Sequence, residues 1–174
     1  MKKRYGEGQV LIEAIVAISI GVVGLLGFLQ LLTQAVSINK DVGQKFVAVY
    51  LAAEGIEIVK SLVDENYAQG NAWGESLDGG SYEVSYDSTE LGDSLVGVRS
   101  TTVLNYDSAS GLYSYAAGSL TPFIRTVQLT NLGTGSDNEL KVVSVVEWTA
   151  RGEPKEVILE GHFFCWRPDM LCEQ

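Results

Sequence analysis

The sequence predicts an α+β fold in which one long N-terminal helix, membrane-spanning in its first half and amphipathic in its second, packs on an antiparallel β-sheet. Three observations predict it. From Val10 to Leu32, twenty-three residues carry a single charge, Glu13. At about 1.5 Å rise per helical residue they span roughly 34 Å, enough to cross a hydrocarbon core of about 30 Å. Apolar residues then persist at helical spacing to Val63, and from Ser81 onward β-branched and aromatic residues dominate between Gly, Ser and Asp punctuation.

Residues 1–8 read as a short leader, too short and polar to fold. Lys2, Lys3 and Arg4 keep that end cytoplasmic by the positive-inside rule and leave everything after residue 36 outside. Residues 9–36 form the transmembrane half of the helix and 37–66 the amphipathic half. In the second half Val42, Phe46, Val49, Ala53, Ile56 and Val63 make an apolar stripe expected to face the sheet, with Lys40, Lys45, Glu54, Glu57 and Lys60 off it. No proline precedes Pro122, so nothing forces a sharp kink. Gly21, Gly24, Gly27 and Gly43 each cost about 0.8–1.0 kcal/mol of helix stability relative to Ala. Close helix packing and the general frequency of Gly in membrane helices explain them equally well.

The helix is expected to end near Asp64-Glu65-Asn66. Residues 67–120 read as a connecting region with short strands, and 121–174 as the main sheet with a C-terminal disulfide loop. Strands are expected near 81–86, 101–106, 112–116, 123–130, 139–149 and 156–164. Leu140, Val142, Ser144, Val146 and Trp148 share one face. Val157, Leu159, Gly161 and Phe163 share a face of the next strand, joined through the Arg151-Gly152-Glu153-Pro154 turn.

The charge Glu13 is the anomaly in the apolar run, since a carboxylate inside a membrane helix costs on the order of 2.5–3.5 kcal/mol. A cut just before Gln9 would create an α-ammonium four residues away. A basic leader, Gly8, four mostly apolar residues, Glu13 and a long apolar helix together resemble the type IV prepilin signal. Val22-Val23-Gly24-Leu25-Leu26-Gly27-Phe28 is also similar to the PilV group of minor pilins. The resemblance implies the pilin fold, cleavage between Gly8 and Gln9 by a prepilin peptidase, and N-methylation of Gln9 as the new N-terminus. It also implies pairing of Glu13 with the N-terminal amine of a neighbouring subunit. The implied partners are other pilin subunits in a helical filament, the peptidase and an inner-membrane assembly platform. Gln9 stands where Phe or Met is usual and Val10 where Thr is usual. By motif the resemblance covers residues 1 to about 35; beyond that it rests on architecture.

The whole chain carries −10. Without Lys2, Lys3, Arg4 and Glu7, residues 9–174 hold nine basic and twenty-one acidic groups, or −12. A body this acidic argues against nucleic-acid binding through a basic face. A secretory signal cleaved after Ala35 is the competing reading of the N-terminus, but the apolar run exceeds the 7–15 residues of an h-region.

Cys165 and Cys172 close the sequence. Outside the cytoplasm a disulfide is their natural state, worth about 2–3 kcal/mol for so short a loop. Without clustered His they make a poor zinc site. The resemblance adds that many pilins carry such a C-terminal loop. Asp137 and Glu139 offer oxygen ligands at a turn but lack the spacing of a calcium loop, so a plain hairpin turn is the better reading. His162, the only histidine, has no nucleophile arrangement near it in sequence. With no phosphate loop, metal-binding helix or paired catalytic carboxylates, the sequence points to neither an enzyme nor a cofactor.

Seven of the eight tyrosines cluster from Tyr50 to Tyr115, mostly as expected sheet packing. The Tyr113/Tyr115 pair allows a solvent-facing adhesive patch as a minority reading. The functional expectation is a structural pilin, preferably a minor subunit, anchored in the cytoplasmic membrane and then assembled into a surface filament. The alternatives are a pseudopilin of a type II secretion or competence system, and a bitopic cell-surface adhesion module with an uncut leader.

Overall fold

The computed structural model describes residues 6–95, 97–132 and 139–165. Helix α1 runs Glu7–Gln69, and six strands follow: β1 Gly80–Tyr82, β2 Val103–Asp107, β3 Leu112–Ser114, β4 Ser119–Asn131, β5 Glu139–Ala150 and β6 Glu153–Phe164. The chain divides into two units, Met1–Gly43 and Gln44–Gln174.

In the second unit a fully antiparallel sheet has the order β3-β2-β4-β5-β6, and β1 pairs with β4 beyond the end of β2. The helix packs on one face of this sheet, which is the α+β arrangement expected. It ends three residues later than expected because Gly70, at φ +76°, caps it. Asn71 N–H donates to the Asn66 carbonyl at 2.9 Å and Gly70 N–H to that of Tyr67 at 3.1 Å. This is the paired closure that a left-handed glycine allows.

The helix face keeps the end of the expected stripe, with Val63 buried and Ala53 and Ile56 half-buried, and departs from its beginning. Val42, Phe46 and Val49 are exposed, whereas Ala48, Leu51, Ala52, Ile58, Val59, Leu62 and Val63 are buried against the sheet. The helix comes closest to the sheet at Gly55, where a Cβ would lie 2.5 Å from Ser144 Oγ and 3.0 Å from Val127 Cγ2; Ala48, Ala52 and Gly55 line this tight seam, and Leu51, Ile58 and Leu62 are buried beside it. The seam leads into two adjoining cores. One joins Ile58–Val63 to Trp73, Leu77, Tyr82, Leu140 and Val142, and the other joins Ala48–Ala52 to Leu104, Phe123, Val146 and Trp148.

The last two strands follow their pattern. Leu140, Val142, Ser144, Val146 and Trp148 are all buried, and on the edge strand β6 Val157, Leu159, Gly161 and Phe163 are more covered than their neighbours. Arg151 (φ 54°) and Gly152 (φ 79°) make the two-residue turn, with Ala150 opposite Glu153. Two positive φ values match a turn whose twist suits a hairpin. Pro122 sits in β4 where the β2 register shifts, between the Val103–Ile124 and Asn105–Leu120 pairs. Its missing N–H therefore costs no ladder bond, and Thr121 Oγ1 donates to the Leu104 carbonyl there at 2.6 Å.

The opposite face of the sheet is crossed by residues 98–100. Val98 O accepts from Ser81 Oγ at 3.1 Å and Gln128 Nε2 at 2.7 Å. Ser100 N–H donates to Thr126 Oγ1 at 2.9 Å. Arg99 Nη1 reaches Glu147 at 2.9 Å and Glu156 at 3.0 Å, so this segment is tied to β1, β4, β5 and β6.

Candidate assembly segment

In the first unit the described helix is bare. It is long and apolar enough to cross a membrane, and its large residues from Val10 to Val36 are all exposed. Its hydroxyls are satisfied locally: Ser19 Oγ donates to the Ile15 carbonyl at 2.7 Å and Thr33 Oγ1 to that of Leu29 at 3.0 Å. Such back-bonding lets a hydroxyl sit in an apolar helix without an unmet donor. Glu13 has no such recourse and is the one ionisable side chain between Val10 and Asn39.

Gly8 and Gln9 lie in the first turn of α1, whose first residue is Glu7, and Gln9 N–H donates to the Gly6 carbonyl at 2.9 Å. Gln9 and Glu13 are four residues apart and therefore neighbours on one helix face, roughly 6 Å between Cβ atoms. No atom lies within 4 Å of the Cβ position of Gly8, Gly21, Gly24 or Gly27. Close packing at those glycines is not used inside the chain.

Among the second unit's residues, Glu139 is committed elsewhere than to a metal. The Nδ1 of His162 meets its carboxylate, Nε2 of His162 lies 2.8 Å from Glu160, and Lys141 Nζ lies 2.7 Å from Glu160. The Glu160 and then the Glu139 hydrogen bonds raise the His162 pKa above its ordinary 6.5. Hydrogen bonds from Lys141 and His162 lower that of Glu160. Asp137 lies outside the described residues, and among those described no three His, Cys, Asp or Glu side chains gather to hold a metal. Cys165 is buried at the end of β6 and disulfide-bonded; Cys172 lies outside the described residues.

Tyr113 and Tyr115 are half-buried and occupied by the fold. The Tyr113 ring is 5.1 Å from that of Tyr106 and 6.4 Å from that of Phe123. Tyr115 O–H donates to the Arg125 carbonyl at 3.3 Å, and burial pushes its phenol up to about 12. This corrects the reading of the pair as a solvent-facing patch.

Sequence reasoning missed Arg125. It is fully buried between sheet and helix, with Nη1 2.6 Å from Glu54 Oε2 and 3.1 Å from the Leu51 carbonyl, and Nη2 donates to that of Val84. A signal was available: Phe123, Arg125, Val127 and Leu129 share one strand face, which puts a guanidinium in an otherwise apolar row. Glu54, set aside as off the stripe, is its partner. No family model, curated protein or solved structure matches the chain.

Proposed function

We propose that the chain is a type IV pilin-like structural subunit, in the manner of a minor pilin. It is cut between Gly8 and Gln9 by a prepilin peptidase and assembled through its N-terminal helix into a filament. Before assembly the first half of the helix waits in the cytoplasmic membrane with everything after residue 36 outside; afterwards the subunit belongs to a surface pilus.

One observation carries this reading. The first half of α1 is an apolar helix without cover, interrupted only by Glu13, which shares a face with Gln9 one turn away. An anchor alone gains nothing from a carboxylate at that depth. Once Gln9 is an N-terminus, its ammonium and the Glu13 carboxylate are complementary charges on every copy. Partnering between copies satisfies both and sets the axial step of one subunit on the next. The apolar helices then cover one another while the acidic sheet units form the coat.

The test is the intact mass of the membrane-extracted protein, expressed with and without an active prepilin peptidase. Loss of residues 1–8 only with the peptidase, and multimers lost in Glu13→Ala, are the expected results. An intact leader overturns the reading in favour of a bitopic anchor, and cleavage after Ala35 in favour of a secreted sheet protein.

A further inference from the structure

Resting on the cleavage site of the reading above, we propose that Gln9 is a self-modifying N-terminus. In subunits that remain unassembled its amine closes on its own side-chain amide to give a neutral lactam, and this withdraws them from assembly.

The residue type carries the chemistry. Gln9 is exposed in the first turn of α1. In the uncut chain its nitrogen is a peptide N–H that donates to the Gly6 carbonyl at 2.9 Å, and resonance with the Gly8 carbonyl leaves it no nucleophilic character. Removal of residues 1–8 turns that same nitrogen into an amine within reach of the Gln9 side-chain carbonyl carbon. The amine attacks Cδ, a new C–N bond forms and the Cδ–Nε2 bond breaks. Ammonia leaves with the proton surrendered by the attacking nitrogen, so no oxidant, reductant or other reactant is needed. The ring lies wholly within Gln9, and α1 keeps its course from Val10 onward.

Two fields set the rate. Only the neutral amine is a nucleophile, and with an ordinary α-amino pKa of about 7.7–8.0 roughly a tenth of it is neutral at pH 7. The first N–H groups of α1 are the positive end of its macrodipole and favour the neutral form. Glu13 favours the charged form, and it is the one ionisable side chain between Val10 and Asn39. Within one copy it must bend back a full turn to reach the amine, an exposed pairing of the weak kind. In an assembly a neighbour's carboxylate is pressed against the amine with water excluded, a far stronger hold. Assembly therefore stops the reaction, and waiting permits it.

Charge makes the reaction consequential. On the cut chain the α-ammonium is the only cation before Lys40. The lactam carries none, so Glu13 loses the complementary charge on which the filament reading depends. Because the ammonia is diluted away, the loss is permanent, and a subunit that waits too long leaves the pool.

The experiment expresses the full chain with active peptidase, stops synthesis and, after successive intervals, separates detergent-extracted monomer from multimers and weighs the N-terminal peptide of each. A heavy-isotope synthetic peptide beginning with Gln9, added at lysis, reports cyclisation during handling. The expected result is a monomer whose peptide becomes lighter by one ammonia, with a cyclised fraction at least five-fold above that of the multimers. Glu13→Ala should cyclise faster still. Gln9→Met, which keeps the amine but has no amide, should still enter multimers late in the chase, when the parent no longer does. A cut chain whose Gln9 keeps its amide in both fractions, methylated or not, overturns the proposal and leaves the filament reading standing. Equal cyclisation in monomer and multimers overturns it as well. An uncut leader with a monomeric chain overturns both.

Discussion

Arg125 Nη1 lies 2.6 Å from Glu54 Oε2, joining the middle of β4 to the second half of α1 across seventy-one positions of sequence. The guanidinium is fully buried and the carboxylate partly exposed, so the two ends of the pair are not equivalent. Truncating Arg125 to Ala opens a void and strands the Leu51 and Val84 carbonyls. A loss of about 3–5 kcal/mol is expected. Glu54→Gln keeps a hydrogen-bond acceptor near the guanidinium and should cost about 1–3 kcal/mol. Thermal unfolding in detergent, followed by near-ultraviolet circular dichroism, measures both. Equal losses would show that the pair, rather than the buried cation, carries the effect.

Gly55→Ala should destabilise even though Ala is the better helix former. The new Cβ meets Ser144 Oγ at 2.5 Å and Val127 Cγ2 at 3.0 Å. Overpacking of about 1–3 kcal/mol outweighs a propensity gain of about 1 kcal/mol. Adding Ser144→Gly, which removes the Oγ contact and a further one at 3.3 Å to Ser144 Cβ, should restore much of the loss. Gly43→Ala, where nothing lies within 4 Å, should instead be neutral or stabilising. The same unfolding measurement separates the three.

The His162 cluster gives a pH window. The folded His162 pKa lies above 6.5, so its contribution is complete below that value and is lost as pH rises through the raised pKa. The folded Glu160 pKa lies below 4.5, so its contribution is present above 4.5 and is lost as pH falls through the lowered pKa. The cluster therefore supports the β5–β6 pair best between about pH 4.5 and 6.5. In His162→Gln the melting temperature should no longer fall selectively as pH rises from 6.5 to 8.

Tyr115 should be the last tyrosine to ionise. Burial holds its phenol at about 12 against an ordinary 10.0, so its contribution is complete below pH 10.0 and lost as pH climbs through about 12. Ultraviolet titration at the phenolate band should show a late component that Tyr115→Phe removes. Persistence of that component in the variant would assign it to another tyrosine.

Arg99 bridges Glu147 and Glu156 from an exposed position. Arg99→Ala should cost at most about 1 kcal/mol, less at high salt. Its clearer effect should be faster proteolysis within residues 83–102, since the variant frees the segment from β5 and β6. Unchanged cleavage at low salt would mean that the Val98 and Ser100 bonds hold the crossing alone.

The parts of this fold legible in the sequence are those governed by a period. Leu140 to Trp148 alternate because one face of β5 is buried, and alternation needs no knowledge of the partner. The phase of α1 was not legible. Phe46 and Val49 are larger and more apolar than Ala48, Ala52 and Gly55, and hydrophobicity alone ranks them first, but the helix turns its small residues to the sheet, which at Gly55 has no room even for a Cβ. The crossing at 98–100 is held by hydroxyl, amide and carboxylate contacts that have no periodicity. Of the candidate site, Gly8, Gln9 and Glu13 stand out because one charge interrupts a long apolar run.

The small-residue seam also bears on the order of synthesis. Ala48 to Val63 emerge from the ribosome early, but Val127, Leu140, Val142 and Val146, which cover them, come more than sixty residues later. At about 5–20 residues per second, the apolar face of the helix stays uncovered for roughly 3–20 s in every newborn chain. Through that interval the uncovered face is apolar surface of the kind that makes a half-made unit prone to aggregate.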